Sequence, residues 1–432
     1  MAKQFKKTKL AAAVCAAASL GLASSANAVV VVGGDNGWEV SFDGNINAFY
    51  TTGDYEANYS TLGFANGSNA RDVSRVASGF LPAFFSFNVK SPTVNGMTAT
   101  GRFSFAPAIQ NGNAKNQTYG AGLSGNGASQ GIQGSSIDMR EVVVNLDGNF
   151  GTVSFGRTLS IFGRQAILKD MTLFGVGSSQ VQNGSVAAGR IGRGYTYPNF
   201  NARFSYKTPN INGFQAELGM YDPSTEQAVS GVGLLDETDT PRFEGEISYT
   251  TAFSGGSFQV WVDGLWQNIE SSRAGATGDV QVSGLGVGAN MKMAGFDVVG
   301  YNYGGDGLGR SLQFLGGTRC NNGGSVGTVC QENEADGYYV QGSYTFNGKT
   351  KLGVSYGEST EDGFSAMNGT VGGTNTGATN GVDLSMLTVG VYHDINSWLK
   401  VIAEYSHLEN DFGNTRNDPE ADTFSVGSFL FW

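Results

Sequence analysis

Stretches in which every second residue is apolar recur along this chain, and charged residues stand between the apolar ones. Phe200, Ala202, Phe204 and Tyr206 alternate with Asn201, Arg203, Ser205 and Lys207. Phe214, Ala216, Leu218 and Met220 alternate with Gln215, Glu217 and Tyr221, and Phe243, Ile247 and Tyr249 with Arg242, Glu244, Glu246 and Ser248. A period of two is that of a strand with two unlike faces. A soluble sandwich shows the same alternation, but charges at this density would each cost several kcal/mol in a dry core. They suit a water-filled interior, which leaves the apolar face to meet lipid.

The connections sort into two lengths. Short ones fall at 91–96, 147–151, 208–213, 252–256, 293–295, 346–348 and 394–397. Long polar ones centre on 51–80, 107–136, 159–193, 223–241, 271–278, 305–335, 361–382 and 410–420. Seven short turns and eight long loops join sixteen strands. Turns on one side and loops on the other predict an outer-membrane barrel with periplasmic turns and exterior loops. An even strand count closes the sheet and leaves no edge in lipid. The expected fold is therefore all-β, a 16-stranded antiparallel transmembrane β-barrel.

The ends fit that reading. Lys3, Lys6, Lys7 and Lys9 precede an apolar run from Leu10 to Leu22, and Ala26-Asn27-Ala28 has the form of a signal-peptide cleavage site. Residues 1–28 are read as a removed signal, Cys15 with them, and residues 29–432 as one barrel. Removing four lysines and no acids moves the formal charge from -11 to -15, which argues against nucleic acid as a partner. No later apolar run is long enough for a membrane-spanning helix. At the other end, Phe424, Val426, Leu430 and Trp432 share one face of a last strand. That ending reads either as an interfacial aromatic or as the signal that outer-membrane assembly machinery recognises, with Trp432 as its contact.

The loop at 159–193 stands apart. Its first half carries Leu159, Ile161, Phe162, Ile167, Leu168, Leu173 and Phe174, and a long connection of this kind is usually functional. It is expected to fold back into the barrel and narrow the lumen.

Three segments carry a family resemblance: GNFGTVSFGR at 148–157, YTYPNFNARFSYKTPNINGFQAELGMYD at 195–222, and the aromatic C-terminus. With them the chain resembles the trimeric general-diffusion porins of Gram-negative bacteria, of the neisserial, Burkholderia and Comamonas type. The resemblance implies a homotrimer whose third loop, here 159–193, is the constriction. It also implies wall arginines facing loop acids. Arg102, Arg140 and Arg157 are the wall candidates, with Arg203 as a further base. The loop departs from that scheme, because Asp170 is its one acid against Arg164, Lys169, Arg190 and Arg193. Those bases either pin the loop to wall acids such as Glu141 or make a locally positive eyelet that favours anions.

Chemistry of other kinds finds little support. Gly353-Val354-Ser355-Tyr356-Gly357 matches G-x-S-x-G, but within an alternating strand rather than at a strand-turn-helix corner. His393 and His407, the two histidines, read as strand-end residues rather than general bases. No metal or phosphate motif is present, and neither a catalytic residue nor a cofactor is expected. Cys320 and Cys330 flank one loop and are expected to form a disulfide in an oxidising compartment. The acidic runs 235–241 and 409–422 read as a solvated rim or as partners of divalent cations on lipopolysaccharide. The expected function is passive passage of small hydrophilic solutes across the outer membrane. The alternatives are a porin selective for sugars or organic anions, and a loop-plugged structural or adhesive barrel.

Overall fold

A computed structural model describes residues 29–33, 36–57, 59, 70–109, 137–179, 187–224, 239–270, 279–309, 311, 313, 317–320, 330–362, 381–412 and 418–432. The expected signal, 1–28, and most of the acidic run 235–241 lie outside these residues.

Alternation of the kind seen at 200–207 produces long antiparallel ladders. They run β1 (Glu39–Tyr55), β2 in two pieces (Arg71–Ala77 and Phe84–Lys90), β3 (Thr98–Pro107), β4 (Ile137–Gly148), β5 (Gly151–Leu159), β6 (Phe200–Lys207), β7 (Phe214–Tyr221) and β8 (Arg242–Phe253). They continue as β9 (Gly256–Ile269), β10 (Val280–Met293), β11 (Phe296–Asp306), β12 (Glu334–Phe346), β13 (Thr350–Glu361), β14 (Val382–Asp394), β15 (Leu399–Asp411) and β16 (Glu420–Phe431). A short N-terminal ladder, Val29–Gly33, lies beside β1. Each strand pairs with the next, and β16 pairs with β1 from Asn45↔Phe431 to Tyr55↔Ala421. The sheet is thus a closed 16-stranded antiparallel barrel, and among the described residues no helix is long and apolar enough to cross a membrane.

The two faces separate as their chemistry requires. Phe204 and Leu218 are each 62% exposed, while their chain neighbours Arg203 and Glu217 are each 8% exposed. The apolar side faces out and the charged side faces in. Four short turns place two consecutive residues at positive φ: Asn95-Gly96, Asn212-Gly213, Ala294-Gly295 and Asn347-Gly348. This is the two-residue hairpin turn whose twist matches that of the flanking strands, and asparagine and glycine tolerate it best.

The second strand breaks between Ala77 and Phe84, and the break aims at the interior. Asn47 fills the gap: its Oδ1 accepts the Gly79 N–H at 2.7 Å, and its Nδ2 donates to the Leu81 carbonyl at 2.9 Å. Asn45 donates to the Pro82 carbonyl at 3.2 Å. The backbone released from the sheet turns inward, where Phe80 N–H donates to the Gly175 carbonyl at 2.8 Å and Leu81 N–H to the Leu173 carbonyl at 3.1 Å. The barrel wall and the long loop are therefore hydrogen-bonded to each other.

Candidate functional site

The loop after β5 crosses the interior as two described limbs, 160–179 and 187–199. Its apolar first half goes where its composition demands. Phe162, Ala166, Ile167, Met171 and Leu173 join one buried cluster with Trp261, Leu265, Tyr301 and Tyr339 of the wall, and Leu168 and Phe174 pack against it; Ile161 is buried as well. A short helix, α1 (Arg164–Lys169), and a single 3-10 turn, Met171–Phe174, follow.

Burying a loop backbone this deeply requires partners for its N–H groups, and wall carboxylates supply them. Glu244 Oε2 accepts from Ile161 and Phe162, both at 2.8 Å, and Asp263 Oδ2 accepts from Gly163 at 3.1 Å. On the far side, Glu404 Oε2 accepts from Val176 at 2.6 Å and Gly177 at 3.0 Å. Between these ends Gln341 takes the Met171 N–H at 2.6 Å and donates to the Lys169 carbonyl at 3.0 Å. Tyr339 donates to the Ala166 carbonyl at 2.9 Å. The loop is thereby fastened to β8, β9, β12 and β15.

Charge reinforces the anchoring. Glu217, Glu246 and Asp263 stand directly opposite one another on β7, β8 and β9, an arrangement of like charges that repels unless a cation intervenes. Arg164 is that cation, 2.8 Å from Glu217 and 3.4 Å from Glu246, and Gln165 adds a bond to Glu246 at 3.0 Å. Here the wall is acidic and the loop basic.

The remaining residues singled out from the sequence fall into distinct places. Asp170 turns into the loop itself, accepting from Thr172 N–H at 2.9 Å, Thr172 Oγ1 at 2.7 Å and Tyr195 Oη at 2.7 Å. Arg190 is fully buried, donating to the Met386 carbonyl at 2.9 Å and the Ser355 carbonyl at 3.2 Å. It also bonds the Ser355 hydroxyl, so the serine of the G-x-S-x-G match is an inward strand residue that holds the loop. Arg193, also fully buried, donates to the Glu409 carbonyl at 2.8 Å, Asn410 Oδ1 at 2.6 Å and Tyr59 Oη at 3.1 Å.

On the wall, Arg102 makes a two-armed pair with Asp43 at 2.8 and 3.1 Å and bonds Glu141 at 2.8 Å. Arg203 pairs with Glu217 at 3.2 Å and donates to the Leu159 carbonyl at 3.1 Å. Arg140 sits at a register shift opposite Ser104 and Phe105, lodged over the rings of Phe84 and Phe200 at 5.8 and 5.3 Å. Arg157 stands in register with Val142 and Ala202 and lies within electrostatic reach of Tyr197, Arg140 and Asp138. Glu141, named as a possible anchor for the loop bases, instead holds Arg102 and Thr158. His393 bonds Thr350 at 2.8 Å, and His407 bonds Asp422 at 2.9 Å and Glu409 at 3.0 Å. Cys320 and Cys330 are paired in backbone register in a two-stranded ladder outside the barrel sheet.

Sequence reasoning passed over the inward lysines. Lys292, Lys351 and Lys400 lie on the interior parity of β10, β13 and β15. Each is close to a short turn, where a lysine reads as a solvated strand end, and only its even spacing from Asn290, Ser355 or Glu404 marks it as inward.

The fold and the interior loop can be set beside known proteins. The outer membrane channel DcaP of Acinetobacter baumannii superposes with a TM-score of 0.64 at 14% identity, over 94% of this chain and 100% of that one. The anion-selective porin from Comamonas acidovorans gives 0.58 at 13% identity, over 91% and 100%. Salmonella typhi OmpF, in complex with daunomycin, gives 0.55 at 11% identity, over 92% and 99%. These likenesses show a shared fold. No curated protein sequence matches significantly. The sequence profile of the Gram-negative porins matches residues 11–413, nearly the whole chain, and the protein therefore belongs to that family of outer-membrane channels for small solutes.

Proposed function

We propose that the protein is a passive diffusion pore, made after removal of residues 1–28, in which the loop at 159–193 is the constriction. One observation carries this reading: carboxylates on opposite sides of the ring, Glu244 and Asp263 on one and Glu404 on the other, hold the loop across the interior by its own backbone N–H groups. A segment fixed at both ends in this way sets an aperture without needing a moving part. Passage down a gradient then requires no covalent chemistry and no cofactor. Arg102 and Lys169 are the candidate bases that face the solute, while Arg140, Arg190, Arg193 and Arg203 shape the aperture from behind.

Trimer formation belongs to the same proposal. β6 and β7 have 8 residues each, fewer than the roughly 9–11 a strand needs to cross a bilayer alone. Neighbouring copies covering this low part of the wall would supply the missing apolar height. Trp432 closes the sheet, exchanging backbone bonds with Gly44 at 3.2 Å, and is the expected contact for assembly machinery. Small hydrophilic solutes, and lipid with lipopolysaccharide around the rim, complete the expected partners.

Single-channel recording from folded protein in a planar bilayer tests the reading. Conducting events closing in groups of three, and a larger conductance after deletion of 164–188 with assembly intact, are the expected results. Unchanged conductance in the deletion removes the constriction role. A silent wild-type barrel would favour the plugged structural barrel.

A further inference from the structure

We propose that Lys169, Lys292, Lys351 and Lys400 form an anion-binding track beside the loop, one that takes small oxyanions, organic carboxylates or phosphate, on their way through the pore. The proposal rests on the barrel conducting at all.

Four separate segments contribute the amines: α1, β10, β13 and β15. Lys169 and Lys292 lie within electrostatic reach of each other, and Lys351 within reach of both Lys292 and Lys400. Two acids pair with the set, Asp297 with Lys292 at 3.6 Å and Asp394 with Lys400 at 2.6 Å. Glu404, bonded by the loop amides and Tyr392, also lies within reach of Lys351, so four ammonium groups against three carboxylates leave one positive charge. The nearby Glu246 is paired with Arg164 and bonded by Gln165.

Three of the amines rest on ring faces: Lys169 on Trp261 at 5.5 Å, Lys351 on Tyr392 at 4.6 Å and Lys400 on Phe174 at 5.6 Å. A ring positions an ammonium without cancelling its charge, as a carboxylate would. Among the described residues, the opposite wall contrasts: Arg102 is bracketed by Asp43 and Glu141 and contributes no net positive charge. Low-dielectric walls focus such a field on the water between them, so an anion meets attraction on one side without a matching cation trap on the other. Carboxylates and phosphate share the acceptor oxygens that ammonium groups recognise.

The test uses full-length folded protein in planar bilayers, with Lys351→Gln/Lys400→Gln as the principal variant. The reversal potential is read in a potassium chloride gradient, and the chloride current is read again with sodium succinate or sodium phosphate added to one side. Expected are an anion-directed potential, a chloride current that falls with added oxyanion, and a several-fold loss of both effects in the double variant. Lys90→Gln, at an exposed pair with Glu39, leaves both unchanged. Inhibition by succinate alone, by phosphate alone or by both names the anion. Should the double variant fail to fold, Lys169→Gln gives the same readout with no barrel strand altered. Equal potentials and equal inhibition in wild type and variant overturn the track. If folded wild type passes no current, the channel reading fails instead, and the track is then judged by calorimetric titration of succinate and phosphate into solubilised protein, where no difference between wild type and variant overturns it.

Discussion

Glu404 accepts the backbone N–H of Val176 at 2.6 Å, and with the Gly177 N–H at 3.0 Å this fastens the far turn of the loop to β15. Tyr392 completes the site, donating to the other oxygen of the same carboxylate at 2.5 Å. Glu404→Ala would leave two buried N–H groups and a buried phenol without an acceptor. Each such loss costs about 1–3 kcal/mol. The barrel ladders are untouched, so the expected product is a folded barrel with a released loop. Trypsin should cut it at Lys169 or Arg190 while wild type resists, read as loop fragments from protein that still migrates as a folded barrel. Equal resistance would mean that the carboxylate is not what holds the loop.

Space at the same turn makes a second expectation. A Cβ on Gly175 would overlap the Glu404 carboxylate, and one on Gly79 would come within 2.6 Å of the Gly175 carbonyl. Gly175→Ala and Gly79→Ala should therefore each push the loop off β15 and the break in β2, raising single-channel conductance and its noise. Because the two sites touch, the double variant should do less than the sum of the singles. Strict additivity would show that they act independently.

The barrel was legible because its physics repeats: an alternation such as Phe204, Arg203 and Ser205 recurs in strand after strand, and Asn-Gly pairs mark hairpins by their tolerance of positive φ. The burial of the loop was legible too, since Ile161 and Phe162 have no reason to sit in an exterior loop. The partners of the charges were not. Arg140 depends on a register shift that no periodicity announces. Arg157 has Tyr197, Arg140 and Asp138 as its charge neighbours, and they come from other segments. The carboxylate row of Glu217, Glu246 and Asp263 exists only once β7, β8 and β9 are set in register.

That row predicts which loop arginine governs ion preference. The Arg164 side chain is 14% exposed and stands between Glu217 and Glu246, whereas Arg190 is 0% exposed and donates to backbone carbonyls and Ser355. Arg164→Gln should uncover two carboxylates and shift the reversal potential toward cations. Arg190→Gln should weaken the loop's attachment with a much smaller shift in potential. The opposite ranking, measured in the same salt gradient, would place the field-bearing charge elsewhere.

The backbone register sets Cys320 opposite Cys330. A bridge there is expected in protein purified without reductant, and neither residue should react with an alkylating reagent until reductant is added. Closing so short a loop limits its unfolded freedom by roughly 2–3 kcal/mol, an effect confined to the loop. Double replacement by serine should therefore leave barrel assembly and conductance unchanged while increasing proteolysis between the two positions. Free thiols in the oxidised protein would dismiss the bridge.

Lys169 gives the lysine track a pH signature. Burial, and then the charge of Lys292, push its ammonium down to about 8, while Glu246 and Asp297 pull the other way; the Trp261 ring lies beside it. A lowered value means that the charge is present below that pH and lost above it. Anion preference should accordingly be full at neutral pH and fall as the solution is raised through about 8. Lys169→Gln removes this charge at every pH, so its reversal potential should start less anion-directed and stay level across the same window. A wild-type potential that does not move between neutral and mildly alkaline solution would take Lys169 out of the conducting path, and a step that persists in Lys169→Gln would assign the titration to another group.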